Sequence, residues 1–252
     1  GLTITAGPFL MHKIKEKISM KKLKRVLALA MAVILSVPTI ITTGMGTVPV
    51  KAAGDTVELT VSSESAKYAG YETRKMYAGG NYAYCVQPSK KTPQSGTYEK
   101  HYDVENYVSN AGDETQAVQS RNLAYYCWGA PGFNASYFPS TWYDGSAMDD
   151  DKYIALSHIM LSFLVSYDEV GSMHGCNSSF KNWVYQNVLG YNANGDLVNG
   201  QATLPILCWS AAPASFKVYI LSTGSATQNI LGYEYTPTGT VSLSKTSANT
   251  GI

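Results

Sequence analysis

Short segments of alternating apolar and polar residues occur along this chain, separated by longer apolar stretches with helical spacing. The clearest alternation is in residues 81–88 (NYAYCVQP). Two tyrosines and a valine share one face there, and Ala83, Cys85 and Gln87 share the other. Pro88 cannot donate to a strand ladder, so the pattern predicts a strand that ends there and carries a thiol near its end.

The other patterns predict strands, then helices, then strands, the order typical of an α+β domain. The predicted strands are residues 57–61 (an edge strand), 216–222 and 229–235, and the predicted helices are residues 113–128, 153–167 and 178–189. The second helix is apolar nearly all round, which indicates a buried helix. His158, Ser162 and Ser166 form a polar stripe along it and need partners inside the protein.

Local signals refine these predictions. Asp113 is expected to cap the first helix, and Ser178 or Ser179 the third. The aromatic residues of segment 133–143 allow two interpretations, a ligand platform or a cover over the core.

Composition narrows the class of protein. The 252 residues include 19 basic and 18 acidic side chains, a formal net charge of +1, which gives no argument for a nucleic-acid partner. The 19 tyrosines and 22 glycines favour a β-rich extracellular domain. The spacing of cysteine and histidine does not match a structural zinc site, and we predict no cofactor.

The first 53 residues have the three parts of a secretory signal peptide. A lysine-rich segment precedes the apolar run 26–37, and Val50-Lys51-Ala52 is a small-x-small cleavage signal. A transmembrane helix is the alternative, but the run is shorter than the roughly 20 residues that span a bilayer. We therefore expect a secreted protein whose main domain covers residues 54–236.

The four cysteines would allow two disulfides with three possible pairings outside the cell. Cys127 and Cys208 each precede a tryptophan and are expected to pack as hydrophobic residues, whereas Cys176 is favoured as bridged or exposed. For Cys85 two interpretations stay open. It is either an inert buried thiol or half-cystine, or a positioned nucleophile.

Three short motifs resemble the thioester domains at the tips of Gram-positive surface adhesins and pili. Tyr84-Cys85-Val86 is similar to the aromatic-Cys-aliphatic motif of an early strand in that family. Residues 157–161 (SHIML) resemble its (Thr/Ser)-Gln-x-Ala-aliphatic motif on a buried helix. Residues 216–221 and 228–231 resemble its closing aliphatic and Gln-aliphatic strands.

This resemblance implies a β-rich fold with a buried helix and a cell-surface adhesin that binds a host or extracellular-matrix protein or glycan. It also implies anchoring to peptidoglycan through a C-terminal region beyond this sequence. In the family a Cys thiolate attacks a Gln carboxamide, expels ammonia, and forms a thioester that acylates a target amine. Cys85 is the implied nucleophile.

One position departs from the family pattern, because His158 stands where the motif has glutamine. An imidazole cannot supply the acyl carbon of a stable thioester. Gln87 or Gln186 would then be alternative acyl donors, or the thioester is lost, or Cys85 and His158 form a nucleophile–base pair. In the last case a neighbouring imidazolium is expected to lower the pKa of the thiol.

The tail, residues 237–252, reads as a linker followed by an alternating strand at 240–245. It resembles the start of a prealbumin-like stalk repeat, a β-sandwich. In such repeats the lysine at the position of Lys245 forms an intramolecular isopeptide bond.

Two other classes stay open. One is a secreted cysteine hydrolase or transglutaminase using Cys85 and His158, although the predicted strand lacks the helix N-terminus that often activates a thiol. The other is a noncovalent glycan- or protein-binding module in which Cys85 is structural.

The leader prediction is tested by N-terminal sequencing of the exported protein. We expect the mature chain to begin at Ala53 or within a few residues of it, because the cleavage signal ends there. A mature protein that retains residues 26–37 would contradict the prediction.

Overall fold

A computed structural model describes residues 55–192 and 196–237. The strands are β1 (Thr56–Tyr68), β2 (Tyr71–Ala78), β3 (Asn81–Cys85), β4 (Gly96–His101), β5 (Phe216–Leu221) and β6 (Ile230–Tyr235). The helices are α1 (Glu114–Tyr126), α2 (Asp150–Ser166), α3 (Glu169–Ser172), α4 (Ser178–Trp183) and α5 (Thr203–Trp209). A π-helical turn (Val184–Leu189) follows α4, and two 3₁₀ turns are Val104–Asn106 and Ala135–Tyr137.

The six strands form a closed antiparallel barrel in the order β1-β2-β3-β6-β5-β4. The last strand closes against the third, with Tyr84 opposite Leu231 and Cys85 opposite Ile230. Inward side chains fill a small barrel interior, and outward side chains of β3, β5 and β6 join the larger core under the helices. The barrel interior consists of Leu59, Met76, Ala78, Ala83, Cys85, Tyr219, Leu221 and Ile230.

Ion pairs connect the strands at one end of the barrel. The Lys100 ammonium lies 3.1 Å from the Asp55 carboxylate at the start of β1 and 2.5 Å from that of Glu234 near the end of β6. The Tyr102 hydroxyl lies within hydrogen-bonding distance of both carboxylates, 2.8 Å from that of Asp55 and 3.0 Å from that of Glu234, and can donate its single hydrogen to either. The first and last strands are therefore joined through β4.

The buried helix predicted from the sequence is α2. Asp149 caps it by accepting a hydrogen bond from the Lys152 backbone, and Tyr167 ends it in the left-handed conformation. All residues from Ile154 to Val165 are buried, and the helix packs on β1, β3 and α1. The α+β prediction is confirmed, as is the cap of α1 by Asp113.

Several local predictions were wrong. The predicted edge strand is part of β1, which is longer and pairs with both β2 and β4, so it has no free edge. Asn177, not a serine, caps α4, and the second half of that predicted helix is π-helical. The aromatic segment mainly covers the core, since Phe138 and Trp142 are buried while Tyr137 stays partly exposed. Strands β2 and β4 and helix α5 were not predicted.

All four cysteines are buried free thiols. The expectation that Cys176 is bridged or exposed is therefore wrong, because only 6% of it is exposed. Cys127 and Cys208 pack in the helix-side core as expected.

In residues 55–192 and 196–237 no helix is long and apolar enough to cross a lipid bilayer. The predicted leader, the stalk-like tail and Lys245 lie outside the described residues.

Gly129, just after α1, is a glycine where an added side chain should be costly. Its φ is +84°, and an added Cβ would lie 2.8 Å from the Cβ of Tyr82. Gly112 has a φ of +86° but open space around the added atom. We expect Gly112→Ala to lower the free energy of unfolding by about 1 kcal/mol through the backbone alone, and Gly129→Ala by about 2–4 kcal/mol through strain plus overpacking.

Urea titration of both variants measures this difference. Equal losses at the two glycines would show that the contact with Tyr82 relaxes without cost.

Candidate functional site

Cys85 is the last residue of β3, and alternation along the strand directs its side chain into the barrel interior beside Ile230. Only 4% of the residue is exposed. Burial raises the pKa of the thiol far above its ordinary value, a hydrogen bond from the Gln87 backbone opposes this, and the Asp168 carboxylate raises the pKa further. At neutral pH Cys85 is therefore a protonated, protected thiol.

His158 lies on α2 and faces β3 from the helix side. Its imidazole is within hydrogen-bonding reach of the Cys85 backbone and stacks on the Tyr71 ring, with ring centroids 6.3 Å apart. The Nε2 atom is buried and has no hydrogen-bond partner of ordinary geometry among the described residues. The ring of His158 thus lies beside the backbone of Cys85, whereas the thiol lies in the barrel interior.

The charge state differs from the expectation. Burial lowers the pKa of His158 to about 4, and the hydrogen bond to the Cys85 backbone offsets only part of this effect. The ring is therefore neutral at pH 7. An imidazolium that lowers the pKa of the thiol is not present, because the same burial that neutralises the ring also raises the pKa of Cys85.

A carboxamide that the sequence analysis did not consider as an acyl donor lies at the same end of the barrel. Gln228 lies just before β6, two residues ahead of Ile230, the partner of Cys85. The Val86 N–H donates to the Asn229 carbonyl at 3.2 Å, so the pairing continues beyond the two strands and sets Gln228 diagonally from Cys85. The side chain is buried, and its Nε2 donates to the Lys90 carbonyl at 2.9 Å. Its Oε1 is buried without a hydrogen-bond partner among the described residues.

The sequence carried one signal for this residue. Gln228 opens the closing Gln-aliphatic segment, but its proximity to Cys85 depends on the antiparallel pairing of β3 with β6. Neither strand alone reveals that pairing.

The two donors considered from the sequence are placed differently. The Oε1 of Gln87 accepts a hydrogen bond from the Asn229 backbone at 3.2 Å, so this carboxamide fastens β3 to β6. Gln186 lies on the π-helical turn with its side chain exposed. No contact in the described part of the chain connects Gln186 with Cys85.

Comparison with known families identifies the class. The family model described as thioester domain matches residues 56–194, more than half of the chain, so the chain belongs to the thioester domain family. Proteins of this family are typically extracellular or surface-attached adhesins that bind their targets covalently. No curated protein and no solved structure matched the chain. In the described ranges no three metal-ligating side chains are grouped closely enough to hold a metal ion.

The neutral, buried state of His158 predicts a loss of stability in acid. Between the ordinary pKa of 6.5 and the folded value of about 4, the unfolded chain binds a proton that the folded chain does not. The free energy of unfolding therefore falls as the pH falls through this window. Between pH 7 and pH 4, wild type should lose about 3 kcal/mol more than His158→Gln.

Urea titrations at several pH values test this difference, and carboxylates that titrate in the same range cancel in the comparison. His174→Gln removes an exposed histidine and serves as the control. A parallel pH dependence of wild type and His158→Gln would contradict the prediction.

Proposed function

We propose that this domain is a covalent surface adhesin in which Cys85 and Gln228 form an internal thioester that acylates an amine on a host or matrix protein. One observation carries the proposal. The β3–β6 register, continued two residues beyond the Cys85–Ile230 pair, sets the buried residue Gln228 diagonally from Cys85. Although His158 replaces the glutamine of the family's helix motif, the Gln228 carboxamide would then still serve as the acyl donor.

The reaction has two balanced steps. The Cys85 sulfur attacks the Gln228 carboxamide carbon, the C–N bond breaks, and the thiol proton leaves with the amide nitrogen as ammonia. A target amine later attacks the same carbon, forms an amide, and returns the thiol to Cys85.

Proximity, rather than thiol acidity, drives the first step. Burial raises the pKa of the Cys85 thiol, so the thiolate is scarce. Holding one group on β3 and the other on the residues that lead into the neighbouring β6 raises their effective concentration enough to offset this disadvantage. The barrel interior also excludes water, which protects the thioester from hydrolysis.

The unpartnered Oε1 of Gln228 favours the product. A buried amide oxygen without a donor costs on the order of 1–3 kcal/mol. Because a thioester carbonyl is a weaker hydrogen-bond acceptor than an amide carbonyl, forming the thioester relieves part of this cost.

His158 serves as a support for the nucleophile in this proposal. Its ring contacts the backbone of Cys85, and its neutral state avoids a buried charge beside the reacting groups. The part of the site that the family fills with glutamine is thus occupied by another hydrogen-bonding side chain.

Intact mass spectrometry tests the assignment. We expect wild type to weigh about 17 Da less than its sequence, the mass of one ammonia, and to gain about 31 Da when methylamine opens the thioester. Cys85→Ala and Gln228→Ala should show neither change. His158→Gln should retain both, because its carboxamide is not the donor.

Gln186→Ala is the matched control for losing a glutamine, and Gln87→Ala tests the neighbouring carboxamide. Ammonia loss that persists in Gln228→Ala but disappears in Gln87→Ala would assign the acyl carbon to Gln87. Full sequence mass in wild type, together with a Cys85 that resists iodoacetamide, would establish an inert buried thiol.

A further inference from the structure

The segment from Gln87 to Lys91, here called the strap, runs directly from β3 across the end of the barrel. It begins with a turn in which the Lys90 N–H donates to the Gln87 carbonyl at 2.9 Å. It ends against the start of β6, where the Gln228 N–H donates to the Lys91 carbonyl at 3.0 Å. The strap therefore connects the end of β3 with the residues that lead into β6.

Strap groups bind both partners of the proposed reaction. The Gln87 backbone lowers the pKa of the Cys85 thiol and so lies next to it, and the Lys90 carbonyl accepts a hydrogen bond from the Nε2 of Gln228. The Gln87 side chain holds the Asn229 N–H. The relative position of thiol and carboxamide thus depends on where the strap lies.

One residue outside the barrel fixes the strap. The two carboxylate oxygens of Asp168 accept hydrogen bonds from Ser89 in the middle of the strap, one from its backbone N–H at 2.8 Å and one from its hydroxyl. Gly171 packs closely against this pair, since an added Cβ would lie 2.5 Å from the Ser89 hydroxyl oxygen.

Asp168 is itself firmly held. It follows Tyr167, whose left-handed conformation turns the chain sharply at the end of α2. Its backbone N–H donates to the Ser162 carbonyl at 3.0 Å. The buried helix α2 therefore sets the position of the Asp168 carboxylate, and through Ser89 it also sets the position of the strap.

We propose that Asp168 is a positioning residue for thioester formation, which acts by holding Ser89 and thereby the strap that aligns Cys85 with Gln228. This inference rests on the function proposed above. It assigns to the α2–α3 corner a role in a reaction whose two reacting groups both lie on the barrel.

The effect of the Asp168 charge on the Cys85 thiol distinguishes a positioning role for Asp168 from activation of the thiol. A carboxylate near the thiol raises the pKa of Cys85 and so disfavours the thiolate. The charge of Asp168 therefore opposes the chemistry, whereas its paired hydrogen bonds support it. Asparagine at this position would keep an acceptor for the Ser89 N–H and a donor for its hydroxyl oxygen, without the charge.

The first measurement is the rate of ammonia loss, followed by intact mass, when protein isolated unfolded with the Gln228 carboxamide still intact is folded for the first time. Asp168→Ala should slow it at least about tenfold, because small misplacements of reacting groups cost large factors in rate. Asp168→Asn should stay within about threefold of wild type, since the hydrogen bonds to Ser89 persist. The control is Asp113→Ala, which removes a comparable capping bond at α1 and should leave the rate unchanged.

The second measurement does not depend on the thioester. Amide hydrogen exchange of Gln228 and Asn229, which bond to the strap and not to Asp168, should accelerate about tenfold or more in Asp168→Ala but not in Asp168→Asn. If wild type loses no ammonia, the proposed function fails, and this exchange still decides whether Asp168 holds the strap.

Several results would overturn the inference. An Asp168→Ala variant with the wild-type rate of ammonia loss, or with unchanged amide exchange, would contradict it directly. If Asp168→Asn is as slow as Asp168→Ala, the effect comes from the charge. If Asp113→Ala slows the reaction equally, the effect comes from general destabilisation.

Discussion

The pairing of β3 with β6 is the contact on which both the barrel and the site depend. It joins a strand from the first third of the described chain to the last strand, and it closes the sheet. Without it the Cys85 thiol and the Gln228 carboxamide would belong to unrelated segments. With it Cys85 lies in the barrel interior beside Ile230, Gln228 lies two residues ahead of that partner, and α2 packs against β3 from the other side.

Helices and strands whose own residues show a clear periodic pattern of apolar positions could be predicted from the sequence. Helices α1 and α2 and strands β3, β5 and β6 follow such patterns. Strand β2 contains the charged residues Glu72, Arg74 and Lys75, and β4 lies next to a Pro/Gly-bearing loop, so neither strand has a clear apolar signal. In the candidate site Cys85 was evident from its strand, whereas Gln228 required knowledge of a long-range strand register.

Burial would hinder the formation of the proposed thioester but would protect the thioester from water once it has formed. It raises the pKa of Cys85 and lowers that of His158, so neither group is ionised in the form expected of a nucleophile–base pair. The same burial keeps water from the carbonyl that would become the acyl group. The arrangement suits a single slow internal condensation followed by long storage, and it suits repeated turnover poorly.

The position of Gln228 just before β6 would have a mechanical consequence for the proposed reaction. After acyl transfer the captured molecule would be bonded to this side chain, while the chain leaves the barrel at the far end of β6, beside the charged cluster around Lys100. Tension applied between the captured molecule and the following polypeptide would run along β6 and load its ladders with β3 and β5 in shear. Even if those ladders gave way, the covalent path through the main chain would stay intact, so the strength of attachment would not be limited by the stability of the fold.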